Sequence, residues 1–247
     1  MATKQPTTPP KISVRIWEPL VKQFDTAIRE SCLRRDAYLD AVLKVEMPRL
    51  DADVSLPNSP AAHAYIAARL DTLDRKLVSF TLKPELVAQL NAICERKRIV
   101  RDAFFNRLYM LLAARIGVID RLMFAGEDDW RTEVWSEHRN DGPFFQNCFH
   151  PLRGEIDPLW AIRTGLEDAL DGLAEVPNPN GEGMMLVDRN ALHGGIRPPA
   201  MVYTVPWSAQ FKDVDLTGFN CYLADWEVPG TPEQVAAAKS LDDILAL

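Results

Sequence analysis

Two segments of the chain alternate apolar and polar residues, and each continues into residues with a helical period. Residues 12–16 and 78–82 carry an apolar side chain at every second position, which is the period of a half-buried strand. In the first segment Leu20, Phe24 and Ile28 then recur at the spacing of an amphipathic helix. Both segments therefore predict a strand followed by a helix.

The two segments are copies of one another at an offset of 66 residues. Aligned without gaps they share seven identities in thirty-three pairs, and they agree at most apolar positions. The triplet Arg35-Asp36-Ala37 falls on Arg101-Asp102-Ala103, and a second helix is predicted to begin near Arg34 and near Val100. One strand and two helices are too few residues to bury a core, so we expect each copy to pair with a second one.

Three short motifs carry a resemblance to a known family. The first copy contains R-I-x-E-P-L, the second contains T-L-K-P-E-L, and both second helices open with x-R-D-A-[YF]-[LF]-[DN]. Over residues 11–44 and 77–112, roughly a third of the chain, the sequence resembles the ribbon-helix-helix DNA-binding family. In that family two copies pair their strands into an antiparallel ribbon that enters the major groove of DNA.

The resemblance implies a fold class and a pairing. We expect an α+β protein with a mostly helical N-terminal half, in which a tandem ribbon-helix-helix pseudo-dimer precedes a small α+β C-terminal domain. A connection of about 30 residues separates the copies and would let them pair within one chain or swap between chains. The sequence leaves both arrangements open.

Alternation then assigns the side chains that would face the bases. The apolar positions of each strand must face the helices, which turns Leu77 and five polar residues outward. Expected base contacts are Lys11, Ser13, Arg15, Ser79 and Thr81. Arg15 can donate two hydrogen bonds to guanine, and the methyl group of Thr81 suits a thymine methyl. The first strand is basic on this face and the second nearly neutral, so we expect an asymmetric DNA site.

The second helices would supply the contacts with the DNA backbone. In the family the N-terminus of this helix faces phosphate, where free N–H groups and the helix dipole attract an anion. Expected phosphate contacts are Arg34, Arg35, Lys97, Arg98 and Arg101. The usual Ser or Thr cap is replaced by Arg34 in one copy and by Val100 in the other, so charge must substitute for the hydroxyl.

The predicted organisation has five parts. A flexible N-terminus (1–10) precedes the first copy (11–47), a linker with a helix (48–75), the second copy (76–123) and an acidic α+β domain (124–247). Between the copies, residues 45–60 predict a loop and residues 61–73 a helix with Ser59 as a possible cap. The domain 124–247 is expected to serve oligomerisation or to bind a partner or ligand.

Charge is distributed unevenly between the halves. Residues 1–123 carry a net charge of +6 and residues 124–247 carry −13, giving −7 for all 247 residues. Such asymmetry favours a polyanion as partner of the basic half. The four cysteines are scattered without a CxxC pair, which is typical of a reducing compartment. No segment predicts a membrane span or a secretory signal, so we expect a cytoplasmic protein, nucleoid-associated when bound.

The C-terminal half predicts a folded unit with its own elements. A helix is expected from Asp157 to about Val176, strands at 184–187, 200–205 and 220–228, and a final helix capped by Thr231. Cys148 and His150 lie close together as in a nucleophile–base pair, but the run Phe144–His150 fits a core segment and turn better. His138, Cys148, His150 and His193 have no metal-ligand spacing. We expect no catalytic residue, metal or cofactor.

These observations lead to one main hypothesis and two alternatives. The main hypothesis is a sequence-specific regulator of transcription, most simply a repressor, that binds double-stranded DNA as a homo-oligomer. The first alternative is an antitoxin whose acidic domain neutralises a toxin while the ribbons repress its own operon. The second is a plasmid DNA-transfer or partition accessory protein.

Overall fold

The computed structural model of the protein describes residues 10–114, 116–124, 158–159, 162–163, 173–177, 184–188, 202–207 and 210–245. Its helices and strands follow in the order β1 (Lys11–Trp17), α1 (Glu18–Glu30), α2 (Arg35–Asp53), α3 (Pro60–Asp71), β2 (Arg75–Thr81), α4 (Pro84–Lys97), α5 (Arg101–Ala113), α6 (Ile116–Phe124), β3 (Leu173–Pro177), β4 (Met184–Asp188), β5 (Gln210–Phe211), β6 (Val214–Asp215) and α7 (Pro232–Leu245). Two 3-10 turns lie at Thr217–Phe219 and Asp225–Glu227. The expectation of an α+β, mostly helical fold is confirmed, and its sheets are two-stranded and antiparallel.

β1 and β2 pair with each other within the chain and form a two-stranded antiparallel ribbon. Both predicted strands are therefore confirmed, each starting one to three residues earlier than the alternation alone indicates. Ile12, Val14 and Ile16 are buried on one face of β1, and Val78 and Phe80 on the same face of β2. The apolar face of the ribbon packs against helices α1 and α5.

The two copies end their first helices in the same way. Cys32 and Arg98 adopt left-handed backbone conformations with φ of 55° and 49°. One residue later, the N–H of Leu33 donates to the carbonyl of Ile28, and the N–H of Ile99 donates to that of Cys94, at 3.0 and 2.9 Å. These bonds cap the free carbonyls of each helix and reverse the chain. The second helices predicted near Arg34 and Val100 accordingly begin at Arg35 and Arg101.

The second helix of the first copy is longer than the sequence predicts. The loop expected over residues 45–60 is wrong in its first part, because α2 continues through Pro48 to Asp53. Burial of Met47 and Leu50 offsets the cost of one proline in the helix, and the buried Glu46 carboxylate is paired with Arg49 and Arg163. The following helix α3 is as predicted, and the hydroxyl of Ser59 accepts from the N–H of Ala62 at 3.0 Å.

The described core is continuous across both copies and reaches the C-terminal half. Helix α5 is buried on all sides over Ala103–Leu112, and it packs on α1, α3 and β1. Residues 202–207 and 216–228 contribute Tyr203, Trp207 and Phe219 to the same buried cluster. The boundary at residue 124 stays a prediction, but part of the C-terminal half packs directly on the repeat.

Several predicted elements of the C-terminal half are corrected. The helix expected to about Val176 is replaced at its end by strand β3, whose backbone is satisfied by pairing with β4. The strands expected at 200–205 and 220–228 are wrong, because residues 202–204 form a turn and 225–227 a 3-10 turn. In the first case the carbonyls of Val202 and Val205 bind the side chain of Arg107 rather than a neighbouring strand.

Two predicted C-terminal elements are confirmed. Met184–Asp188 is a strand, and Pro232–Leu245 is a helix whose Thr231 hydroxyl accepts from the N–H of Gln234 at 3.2 Å. The segment 144–150 with Cys148 and His150 lies outside the described residues, as do His138, His193 and residues 1–9.

Candidate nucleic-acid interface

The outward face of the ribbon includes three cross-strand pairs. Lys11 lies opposite Thr81, Ser13 opposite Ser79, and Arg15 opposite Leu77. Lys11, Ser13, Arg15 and Ser79 are exposed and Thr81 is half-buried, so all five expected base-contacting residues lie on one face. Leu77 is 63% exposed on that face, beside Arg15.

The centre of this face is a local two-fold axis. Ser13 and Ser79 are equivalent residues of the two copies, and the antiparallel register places them directly opposite each other. Their Oγ atoms share a hydrogen bond of 2.8 Å. The ribbon is therefore built symmetrically about its midpoint, although the side chains on either side of that midpoint differ.

Each second helix begins beside the strand of the other copy. The guanidinium of Arg35 donates to the carbonyl of Ser79 at 2.9 Å, and that of Arg101 donates to the carbonyl of Ser13 at 3.1 Å. No side chain caps the N-terminus of either helix. Two helix N-termini with free N–H groups thus flank the ribbon, an arrangement that attracts phosphate.

A second symmetric pair of hydrogen bonds was not anticipated from the sequence. The carboxylate of Asp40 accepts from the N–H of Lys83 at 3.0 Å, and the amide oxygen of Asn106 accepts from the N–H of Trp17 at 2.8 Å. Each holds the junction between strand and first helix of the opposite copy. The sequence contained a sign of these bonds, because the repeated motif ends with Asp in one copy and Asn in the other. Both side chains accept hydrogen bonds equally well.

Asn106 makes two contacts that Asp40 cannot make. Its amide nitrogen donates to the carbonyl of Arg15 at 2.9 Å and to that of Asp102 at 2.8 Å. The backbone of Arg15 is thereby fixed to α5. The side chain of Arg15 leaves the opposite face of the ribbon and is exposed.

The five basic residues expected at phosphate differ in how they are held. Arg34 is exposed, and Arg35 and Arg101 are bound to the ribbon as described. The ammonium of Lys97 donates to the carbonyls of Val54 and Asp51 at 2.6 and 3.1 Å. The guanidinium of Arg98 donates to the carbonyl of Asn58 at 3.1 Å, while Arg98 as a whole remains exposed. Lys97 and Arg98 thus also fasten the linker to α4.

The described part of the chain also shows how possible metal ligands and two of the cysteines are placed. No group of three His, Cys, Asp or Glu residues is arranged there to hold a metal ion. Burial raises the pKa of the Cys94 and Cys221 thiols to about 12, which keeps them protonated and poorly nucleophilic. Among these same residues, no helix combines the length and hydropathy needed to cross a bilayer.

The chain matches no protein-family model, no curated protein and no solved structure to which it was compared. The geometry of the ribbon and its flanking helices is therefore the basis on which a function can be argued.

Proposed function

We propose that this protein is a sequence-specific, double-stranded DNA-binding regulator of transcription, most simply a repressor, built on a tandem ribbon-helix-helix pseudo-dimer. The observation that carries the proposal is the exposed polar face of the β1–β2 ribbon, flanked on both sides by uncapped helix N-termini. A repressor needs only to bind its DNA site and block access to it, and the exposed polar face of the ribbon would be sufficient for such binding.

The dimensions of the ribbon suit the major groove of DNA. Two paired strands lie about 5 Å apart, and the groove, about 12 Å wide, admits a two-stranded ribbon. Lys11 and Arg15 then bring donors to the base edges, and the hydroxyls of Ser13 and Ser79 can donate or accept. The helix N-termini on either side would meet the two phosphate backbones.

The two halves of the ribbon predict two different half-sites. Arg15 and Leu77 form one end of the outward face, while Lys11 and Thr81 form the other. Arg15 selects guanine, and an exposed apolar side chain selects the methyl group of thymine. A symmetric backbone carrying unlike side chains therefore favours a non-palindromic site.

The proposal is tested by selecting sites for the full-length protein from random duplex DNA. We expect an enriched sequence whose affinity falls steeply with salt, because neutralised phosphates release counterions. Arg34→Glu is the test variant, since Arg34 is exposed at the start of α2, and we expect a loss of at least about tenfold. Lys44→Glu makes the same change in charge more than two turns into α2 and serves as the control. A folded protein that enriches no sequence and binds no duplex at low salt contradicts the proposal.

A further inference from the structure

Two neighbouring residues of α5 connect the ribbon with the C-terminal half. Asn106 binds the ribbon at Trp17 and Arg15. Arg107, the next residue, is fully buried, and its guanidinium donates to the carbonyl of Val202 and to Oδ1 of Asn220. One turn of helix thus holds the end of β1 on one side and the C-terminal segment on the other.

The Arg107 guanidinium is held by four acceptor contacts. Its Nε and Nη2 atoms donate to the carbonyl of Val202 at 3.0 and 2.5 Å, and Nη2 also donates to the carbonyl of Val205 at 2.7 Å. Nη1 donates to Oδ1 of Asn220 at 3.2 Å. The ring of Trp207 lies 4.7 Å from the guanidinium carbon. A buried arginine with this many partners fixes its surroundings closely.

A second, direct path joins the same segment to the same end of the ribbon. The ring of Phe219 packs edge-on against Trp17 with centroids 6.2 Å apart, and against Trp207 at 5.8 Å. Gly218 allows the same segment to lie close against α3, because a Cβ there would lie 2.7 Å from the backbone nitrogen of Leu70. Trp17 is two residues from Arg15 on β1.

The other end of the ribbon has no such brace in the part of the chain that the structure describes. Lys83, the equivalent of Trp17, is exposed and held through its N–H by Asp40. Among the described residues of 202–228, none makes a hydrogen bond, ion pair or ring contact with Lys11, Thr81 or Lys83. The C-terminal segment therefore breaks the symmetry of the pseudo-dimer at one end.

We propose that residues 202–220 position the Arg15 end of the ribbon, and that Phe219 is a positioning residue through which the C-terminal half sets the bases contacted by that end. The DNA part of this inference rests on the proposed function. The positioning part is a property of the protein alone and can be tested without DNA.

The matched reporters are the backbone amides of Trp17 and Lys83, which make equivalent hydrogen bonds at the two ends. Their hydrogen exchange is measured by NMR in the full-length protein and in Phe219→Leu. An aromatic contact of this kind corresponds to about a threefold to tenfold change in a local opening equilibrium. We expect the Trp17 amide to exchange faster by that factor while the Lys83 amide changes by less than about twofold.

The control is Phe24→Leu, the same substitution at a fully buried phenylalanine whose ring packs on Tyr109. General loosening should accelerate both amides together in that variant. Equal acceleration of both amides in Phe219→Leu, or no acceleration of Trp17, overturns the inference whatever the protein does with DNA.

The DNA arm compares sites selected by the wild type, Arg15→Ala and Phe219→Leu. We expect Phe219→Leu to weaken preference at the same base pairs as Arg15→Ala, and to leave the base pairs at the Lys11 end unchanged. If Phe219→Leu selects the same bases as the wild type, the inference that Phe219 influences the base contacts of the Arg15 end is wrong. Failure of the wild type to select any sequence would instead count against the proposed function.

Discussion

Asp40 and Asn106 occupy equivalent positions in the two copies, and each accepts a hydrogen bond from the backbone N–H at the strand–helix junction of the other copy. Together with the equivalent bonds from Arg35 and Arg101 to the ribbon, these hydrogen bonds form two symmetric pairs that cross between the copies. The pairing of the copies is thus specified by polar side chains in addition to the shared apolar core.

Exchanging the two residues tests this relationship. Asp40→Asn keeps an acceptor for the N–H of Lys83, so we expect a change in unfolding free energy within about 0.5 kcal/mol. Asn106→Asp keeps the acceptor for Trp17 but removes the donor to the carbonyls of Arg15 and Asp102, which we expect to cost about 1–3 kcal/mol. Urea denaturation measures both. Equal effects of the two exchanges would show that the donors of Asn106 contribute nothing.

Arg101 should combine a structural and a DNA-binding role. Its removal in Arg101→Ala deletes the bond to the carbonyl of Ser13 and a cation beside the helix N-terminus. We expect affinity for specific and random duplexes to fall by similar factors, and the salt slope to decrease by about one unit. Arg101→Lys should restore most of the salt slope. A loss confined to the selected site would make Arg101 a base contact instead.

The C-terminal half should contribute to the stability of the repeat, because it covers Arg107 and part of the shared core. Deleting residues 124–247 removes the carbonyls and the amide oxygen that accept from Arg107, and it exposes to water the apolar surface that Tyr203 and Phe219 cover. We expect the fragment 1–123 to lose about 3–5 kcal/mol of stability relative to the full chain. Denaturation of both proteins, followed by circular dichroism, checks this. A fragment as stable as the full chain would show that Arg107 finds equivalent partners without residues 202–220.

Stability should fall in alkaline solution. Burial raises the pKa of Cys94 and of Cys221 from 9.0 to about 12, and it also raises the pKa of Tyr109 and Tyr203. These groups hold their protons in the folded state after the unfolded chain has released them, so their contribution is complete below pH 9 and is lost as pH rises through about 12.

Arg107 acts in the opposite direction. Burial lowers the pKa of Arg107 from 12.5 to about 10. Between these pH values the unfolded chain holds the proton more tightly, so the contribution of Arg107 to stability rises with pH. Because four groups with raised pKa values oppose Arg107, we expect the free energy of unfolding to fall with pH overall. Cys221→Ala should reduce the slope of stability against pH above pH 9 by up to about 1.4 kcal/mol per pH unit. The exposed Cys32→Ala is the control, and an unchanged slope in Cys221→Ala would refute the assignment.

The secondary structure of the two copies was predicted well, because equivalent residues in the two copies lie in similar environments. The ribbon strands, the first helices and their breaks followed from periodicity, since each element buries one face. Alternation also placed Lys11, Ser13 and Arg15 on the exposed face of β1. Here local pattern and tertiary packing agree, which is the condition under which sequence patterns predict structure.

The predictions that proved wrong failed because contacts distant in sequence determine the structure at those positions. Pro48 and the polar residues near it favoured a loop, but burial of Met47 and Leu50 in the shared core extends α2 past the proline. Residues 202–205 have the composition of a strand, yet their carbonyls are used by a side chain 95 positions earlier in the chain. The apolar residues around Arg107 indicate a buried helix, but its role could not be predicted because its partners lie 95 to 113 positions later in the chain.

The most direct test of the account concerns Arg15, whose side chain alternation and structure both place on the exposed face of the ribbon. The full-length wild type and Arg15→Ala are titrated against the selected duplex and against random duplex at the same salt concentration. We expect Arg15→Ala to lose about 1–3 kcal/mol of binding free energy on the selected duplex and much less on the random one. Equal losses on both duplexes would contradict the account, because Arg15 would then contact only the DNA backbone and the ribbon would not recognise bases through it.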